Sequence, residues 1–310
     1  MDPLFKPAGH IRKIFIKVED MKKLSIVTML LFIGSFLFGG DITITGSYGE
    51  TVTLHKPAER IVSIAPSITE TVFALGKGKL LVGRTDYGDY PAEAASVQSI
   101  GSLTDPNIEK IVELKPDIVI ASNHFKKGSA DKLRKLSIKV LILKEDKTFD
   151  GVYTTIRDVA KITGAEQQGE LIIKKMKTTV QAVESAVKGK PRPRVYYVIG
   201  FGEYGEYTAG GNTFIGQMIT MAGGNNIASG LNGWAYSLEK IVAGNPDIII
   251  CSKYWDTKKK LMKANGYKDL RAVKEGKVFA IDNNLLDRQG PRLAEGLRKL
   301  AEIIHPESFQ

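Results

Sequence analysis

Aromatic and hydrogen-bonding residues gather in several loops of this chain, and their types suit ligand capture. Arg84-Thr-Asp-Tyr87-Gly-Asp-Tyr90-Pro91 follows the apolar Leu81-Val82-Gly83. Its two tyrosines offer stacking surface with a polar handle. A second loop, Gly200-Phe201-Gly-Glu-Tyr204-Gly-Glu-Tyr207-Thr-Ala-Gly-Gly, follows Val198-Ile199, and Asn232-Gly233-Trp234 comes after it. Asn123-His124-Phe125 and Tyr254-Trp255 each follow an apolar run. Ser67 stands three residues before Glu70, the capping-box spacing for a helix over Thr69–Leu75. A helix start that faces a cleft also suits anionic groups. Asp287-Arg288-Gln-Gly-Pro291-Arg292 opens the last helix. Its two guanidinium forks match carboxylate or phosphate, with a salt bridge to other loops as the alternative. Together these loops suit a large, partly apolar, partly anionic ligand.

The same inventory argues against catalysis and against a bare metal site. Zinc sites use several His or Cys ligands, and this chain has four His and one Cys. His10 precedes the apolar N-terminal run, His55 lies in an early turn, and His305 is near the C-terminus. Only His124 falls among the loops above; it reads as a solvated loop residue, with axial ligation of haem iron as the sharper alternative. No Ser-His-Asp order, paired catalytic carboxylates or nucleophile elbow stands out. The Gly-rich loop lacks the Lys-Ser/Thr of a phosphate loop and the spacing of a dinucleotide fingerprint. Cys251 sits in an apolar run and reads as core; alone, it excludes a disulfide framework and a CxxC pair. No resident cofactor and no protein-held metal are expected.

A repeat points to the elements that position these loops. Ile108-Glu-Lys-Ile-Val-Glu-Leu-Lys-Pro-Asp-Ile-Val-Ile-Ala-Ser122 matches Leu238-Glu-Lys-Ile-Val-Ala-Gly-Asn-Pro-Asp-Ile-Ile-Ile-Cys-Ser252 at nine of fifteen positions, offset by 130. Each copy reads as helix, Pro-Asp turn and fully apolar strand, as in a buried parallel sheet. Strands at Lys139–Leu143 and Lys277–Ile281 follow the copies, and strands at Arg60–Ile64 and Arg194–Ile199 precede them. That order predicts two doubly wound α/β lobes with a ligand cleft between them. Between the lobes, Gly151–Ile162 reads as one helix and Ala165–Lys188 as a long one, with Leu171, Ile172, Met176, Val180, Val183 and Val187 at helical spacing. A long rigid α-helix joining the lobes acts as a stiff spine. The expected division is 1–40, an N-terminal extension and signal peptide; 41–148, the N-terminal lobe; 149–190, the helical linker; and 191–310, the C-terminal lobe.

Composition sets the surroundings. The 310 residues are 43% hydrophobic and 25% charged, an ordinary globular balance. Met21-Lys22-Lys23, the apolar Leu24–Phe38 and Gly39-Gly40 have the order of a signal peptide, and Met21 is a candidate start. An uncleaved anchor is the alternative. No cysteine lies near the junction, so a lipoprotein anchor is not expected and the chain is read as exported, soluble and periplasmic. Net charge is +10; the first 40 residues hold six basic and three acidic groups, which leaves 38 and 31 for the rest. Lysine runs such as Lys258-Lys259-Lys260 lack interleaved aromatics and read as solvated faces, with no nucleic-acid track.

Arg60-Ile-Val-Ser-Ile-Ala-Pro-Ser-Ile-Thr-Glu70, Asp86-Tyr-Gly-Asp-Tyr-Pro91, Ile108-Glu-Lys-Ile-Val with Pro116-Asp117, and Asp287-Arg-Gln-Gly-Pro-Arg292 resemble motifs of the helical-backbone (cluster A, class III) substrate-binding proteins of bacterial ABC importers. Those proteins carry cobalamin, iron–siderophore complexes or haem. The resemblance spans about residues 41–305 and is nearest to cobalamin-binding members. It implies that Tyr87, Tyr207 and Trp234 line a corrinoid cleft. The chain departs from the pattern near Leu103 and near Asn123, where tryptophans are expected. The resemblance also implies that Glu109 and Glu239, paired by the repeat, dock on arginine pockets of the membrane permease. They are expected at helix starts away from the strand ends that form the cleft. Ser67, Tyr87, His124, Tyr207, Trp234, Arg288 and Arg292 are the candidate ligand-binding residues. The expected partners are an ABC permease and ATPase complex and a metal-chelate ligand, bound by a monomer. A corrinoid is the first reading, a ferric siderophore or haem the alternative, and an envelope sensor or a cleft enzyme the remote ones.

Overall fold

The computed structural model describes residues 40–144 and 147–310; the signal-like segment Leu24–Phe38 lies outside the described residues. The described chain opens with a hairpin that the sequence pattern left unmarked. Strand β1 (Ile42–Thr45) pairs antiparallel with β2 (Thr51–Leu54). Ile44 and Leu54 carry it into the core beside Ile118, Leu141 and Ile162.

The N-terminal lobe follows as β3 (Ile61–Ile64), α1 (Pro66–Ala74), β4 (Leu81–Arg84), α2 (Ile108–Glu113), β5 (Ile118–Ala121), α3 (Lys127–Lys135) and β6 (Val140–Ile142). Its sheet has the order β4-β3-β5-β6 and is parallel throughout. Every residue of β3 and β5 is buried, as continuous apolar strands covered on both faces require. Helix α1 begins three residues before the expected start. Pro66, with its preset φ and no N–H to satisfy, takes the first helical position, and Ala65 stands at the cap without a side-chain bond. Ser67 is therefore inside the first turn, and the capping box with Glu70 does not form.

Two helices then lead across. Helix α4 (Phe149–Thr163) is capped by Thr148, whose hydroxyl accepts the Gly151 N–H, and ends at Gly164 with φ +61°, a left-handed turn that suits glycine. Helix α5 (Glu166–Val187) has 22 residues and is about 33 Å long. It packs on α4 and on the last helix. The missing side chain of Gly169 permits the first contact, because a Cβ there would meet that of Ala160 at 2.8 Å. The buried face of α5 is Gly169, Ile173, Met176 and Val183. The stripe read from the sequence shares Met176 and Val183 with this face, and Ile172, Val180 and Val187 pack against the core partly buried; Leu171, 55% exposed, is the one member that turns out, and Ile173 takes its place.

The C-terminal lobe comprises β7 (Arg194–Val198), β8 (Glu206–Tyr207), α6 (Phe214–Met221), β9 (Asn225–Asn226), β10 (Ala235–Tyr236), α7 (Leu238–Gly244), β11 (Ile248–Ser252), α8 (Thr257–Leu261), α9 (Arg271–Lys274), β12 (Val278–Ile281), α10 (Asn284–Asp287) and α11 (Leu293–Ile304). Its main sheet, β12-β11-β7-β9, is again parallel. The fold is thus two doubly wound α/β lobes joined by a long helix, and Ile42–Gln310 holds together as one compact unit.

The repeat recurs in space. Asn107 caps α2 by accepting the Lys110 N–H, and Ser237 caps α7 by accepting the Lys240 N–H. Asp117 accepts the N–H groups of Glu59 and Arg60, and Asp247 that of Arg194. Arg60 donates to the Leu114 carbonyl at the end of α2, and Arg194 to that of Gly244 at the end of α7. Each helix therefore ends beside the first residue of a strand that runs the other way. The helix starts lie toward the carboxyl ends of the strands. Glu109 and Glu239 stand at those starts, so they are on the cleft side of each lobe rather than away from it.

Candidate functional site

The site lies where the chain reverses its winding. In the N-terminal lobe β3 and β5 are neighbours, with β4 to one side and β6 to the other, and ligands favour the crevice at such a switch point. The loops leaving these two strands, Ala65–Ser67 and Ser122–His124, contribute to a cavity of about 480 Å³. Tyr87 and Leu103 extend that wall. The C-terminal lobe supplies the start of α6 from Asn212 to Ile215, the Gly233-Trp234 turn, Asn284, and Leu286 to Gln289. Lys147 also lines it. The size is within the range of small-molecule sites, and both lobes contribute.

Tyr87 and Trp234 stand on opposite lobes, 70% and 49% exposed, and present aromatic surface at the mouth. Trp234 is set by backbone. Its carbonyl accepts the Thr208 N–H at 2.8 Å, and β10 beside it pairs with β8, Ala235 opposite Tyr207. Glu206 of β8 is anchored by the buried Tyr267 hydroxyl. Two helix starts face the cavity, those of α1 and α6; the second is capped by Thr213, whose hydroxyl accepts the Gly216 N–H. Such ends favour negative charge. His124 reaches the wall with Nδ1 at 3.4 Å from Ser122 Oγ.

The arginine loop is built differently from the expectation of a free anion fork. Arg288 Nη1 donates to Glu70 Oε1 at 2.9 Å, and Nη2 lies 2.9 Å from Asp89 Oδ1. Arg292 gives Nε to Glu70 Oε2 at 2.8 Å and Nη2 to Oε1 at 2.7 Å. The Glu70 and Arg288 side chains are only 3% and 9% exposed. Glu70 comes from α1, and the arginines come from the far lobe 218 and 222 residues away. The alternative reading, a salt bridge, is the one that forms, and it ties the lobes together. Gly290 lets the backbones close, since a Cβ there would lie 3.3 Å from the Ser67 carbonyl. Burial works against the charge of Arg292, but the Glu70 hydrogen bonds and charge outweigh it and hold its pKa above the usual value. Its guanidinium also lies 3.5 Å from the centre of the Tyr90 ring.

Of the seven expected contact residues, Ser67, Tyr87, His124, Trp234 and Arg288 border the cavity. Tyr207 and Arg292 do not. The Tyr207 ring covers Gly200, at 3.4 Å from where that residue's Cβ would be. Lys147, Thr213, Phe214 and Asp287 border the cavity without having been singled out. Thr213 had a local signal, as a hydroxyl residue three positions before Gly216 at the start of an apolar run. Asp287 is exposed by surface area, yet the protein atoms crowded around its carboxyl displace water and raise it above its usual range, while the hydrogen bond from Asn283 and the charge of Arg288 oppose the shift.

Residues 61–285, which span both lobes, match the family described as periplasmic binding protein. The chain belongs to that family. It is 33% identical over 275 residues to YvrC of Bacillus subtilis, an uncharacterized ABC transporter substrate-binding lipoprotein, and the match covers 87% of each chain. A cobalamin-binding protein of Halobacterium salinarum is 32% identical over 267 residues, covering 82% of this chain and 71% of that one. Among solved structures, the apo form of the periplasmic heme-binding protein RhuT of Roseiflexus sp. RS-1 superposes with a TM-score of 0.75 at 27% identity, covering 81% of this chain and 99% of that one. The protein is thus a substrate-binding protein of the ABC-importer class and not an enzyme. No helix among the described residues is long and apolar enough to cross a membrane.

Proposed function

We propose that the interlobe cleft of this binding protein captures a corrinoid and hands it to an ABC permease and ATPase complex. The observation that carries the reading is the pairing of exposed aromatics across one cavity, Tyr87 from one lobe and Trp234 from the other. Such a pair grips a broad, partly apolar macrocycle, and the two helix starts with Lys147 suit its polar substituents. The similarity to a cobalamin-binding relative supports the choice. Ser67, His124 and Arg288 are the further contacts, while Tyr207 and Arg292 hold the wall in place from behind. A haem or ferric-siderophore ligand is the second reading, favoured by His124 at the wall and by the heme-binding relative. Titration calorimetry with cobalamins, haemin and ferric siderophores separates the readings. Tyr87→Ala and Trp234→Ala should each weaken the preferred ligand by about thirtyfold, the effect of about 2 kcal/mol at an aromatic hot spot. Wild-type affinity in both variants would remove this cleft from the argument.

The protein works as an exported, soluble monomer, with residues 1–40 as the export segment and lobes at 41–148 and 191–310 joined by 149–190. Glu109 and Glu239 form its permease contacts. Both are exposed on the cleft side, one per lobe, at matched positions of the repeat. The Glu109→Ala, Glu239→Ala double variant should keep its ligand affinity and lose most uptake in reconstituted vesicles. Normal uptake would refute the docking role, and fractionation of the host envelope tests the soluble state.

A further inference from the structure

One position breaks the repeat in an unusual way. Offset by 130, Phe125 corresponds to Trp255, and α3 and α8 start at the matching residues Lys127 and Thr257. Phe125 is fully buried in the N-terminal core. Trp255 is 76% exposed, with φ +56°, and Asp256 follows at +54°. A bulky side chain rarely adopts that backbone, and here Trp255 does so, followed by an aspartate, a type that tolerates it better; the turn holds the indole out of the core. Behind it stand Lys258, Lys259, Lys260, Lys263 and Lys268, all exposed and none in an ion pair among the described residues. Met262 is exposed beside them.

The segment follows β11, so it lies at the cleft end of the C-terminal lobe. On the reading above, on which this step rests, that end must face the bilayer when ligand is delivered. We propose that Trp255 and the lysines of α8 and its C-terminal flank form a contact for an anionic phospholipid surface. Unpaired ammonium groups are drawn to anionic headgroups, and tryptophan prefers the interfacial layer. The contact would align the cleft mouth with the membrane before the permease is met. It is separate from the glutamates, whose charge suits basic protein pockets.

The test is flotation of the ligand-free full chain with phosphatidylcholine vesicles and with vesicles that also contain phosphatidylglycerol. The apolar Leu24–Phe38 segment meets both kinds alike, and the basic groups before it are the same in wild type and lysine variant, so the readout is the anionic preference that the variant loses. The expected result is preferential binding to the anionic vesicles, lost at high salt. The K258Q/K259Q/K260Q variant should bind them at least about tenfold more weakly. The chain has two tryptophans, so Trp234→Phe leaves Trp255 as the sole reporter. Its emission should shift to the blue on anionic vesicles. Equal binding to both vesicle types, an unaffected lysine variant or an unmoved emission would overturn the proposal. So would a lysine variant that binds vesicles normally but fails to dock on permease in neutral discs, since the lysines would then address protein. Ligand affinity, measured in parallel, keeps failure of the cleft reading distinct.

Discussion

In the N-terminal lobe, Ser122 at the end of the repeat lies beside His124, and both border the cavity. In the C-terminal lobe its counterpart Ser252 donates to Asn283, and Asn283 donates to Asp287, which borders the cavity from the other side. Below these residues the two lobes share a side-chain cap at the matching helix start, Asn107 in one and Ser237 in the other, the same aspartate before the strand and the same arginine on the helix end. The shared parts are those a parallel sheet needs. The differences begin at the strand ends, where one strand position leads to an imidazole and the other to an amide and a carboxylate. One framework therefore carries two unlike walls, and function can diverge there without altering the sheets.

The sharpest break of the symmetry is the interlobe bridge, because one lobe gives a carboxylate and the other two guanidinium groups. Glu70→Ala would leave Arg288 and Arg292 short of their shared buried partner. The expected loss is about 3–5 kcal/mol of unfolding free energy, the cost of uncompensated buried charge. Arg292→Ala should cost less, since Glu70 keeps Arg288. Chemical denaturation orders the two, and a larger loss for the arginine variant would mean the bridge is not held by Glu70.

The framework aspartates test the symmetric part. Asp117 is exposed and accepts two backbone N–H groups. Asp247 accepts one, is partly buried, and also pairs with Arg194 and Arg271. Replacement by Ala should cost about 1 kcal/mol at position 117 and about 2 kcal/mol at position 247. Equal losses would mean that the backbone bonds alone matter and the arginines add nothing.

Much of this was legible in the sequence for a physical reason. Buried parallel strands must be apolar throughout, so Ile118–Ala121 and Ile248–Ser252 announced themselves, and the repeat around them doubled the signal. The long helix was marked by its spacing and by Gly164. Most of the stripe on α5 was legible too, since Met176 and Val183 are buried and Ile172, Val180 and Val187 pack on the core; Gly169 was missed because the contact with α4 is made by a residue with no hydrophobic signature. The role of Glu70 was hidden, since a capping spacing three residues long explained it locally while its partners lie more than 200 residues away. Tyr207 and Arg292 carry the right chemistry for a ligand, but only the hairpin and the bridge decide that they face elsewhere.

The smallest effect concerns the carboxylate wall. Asp287 titrates above the usual carboxyl range, chiefly because the protein atoms crowded around its carboxyl displace water and disfavour its charge. A raised folded-state pKa means that its stabilising contribution is complete below the ordinary carboxyl pKa and is lost as pH rises through the higher value. At neutral pH the ionised form is a liability, so Asp287→Asn should leave the protein slightly more stable there. The gain should be under about 1 kcal/mol, because Asp287 is an exposed residue whose charge water screens, and should raise Tm by no more than about 2 °C. Below about pH 4 the advantage should vanish, because the wild-type carboxyl is then neutral too. The substitution also removes a negative charge from the wall opposite His124. An anionic ligand should bind a few-fold more tightly and an uncharged analogue should be unaffected. Thermal melts across pH, with paired titrations of the two ligands, check both halves. A gain in stability that persists below pH 4 would point to packing by the amide rather than to charge.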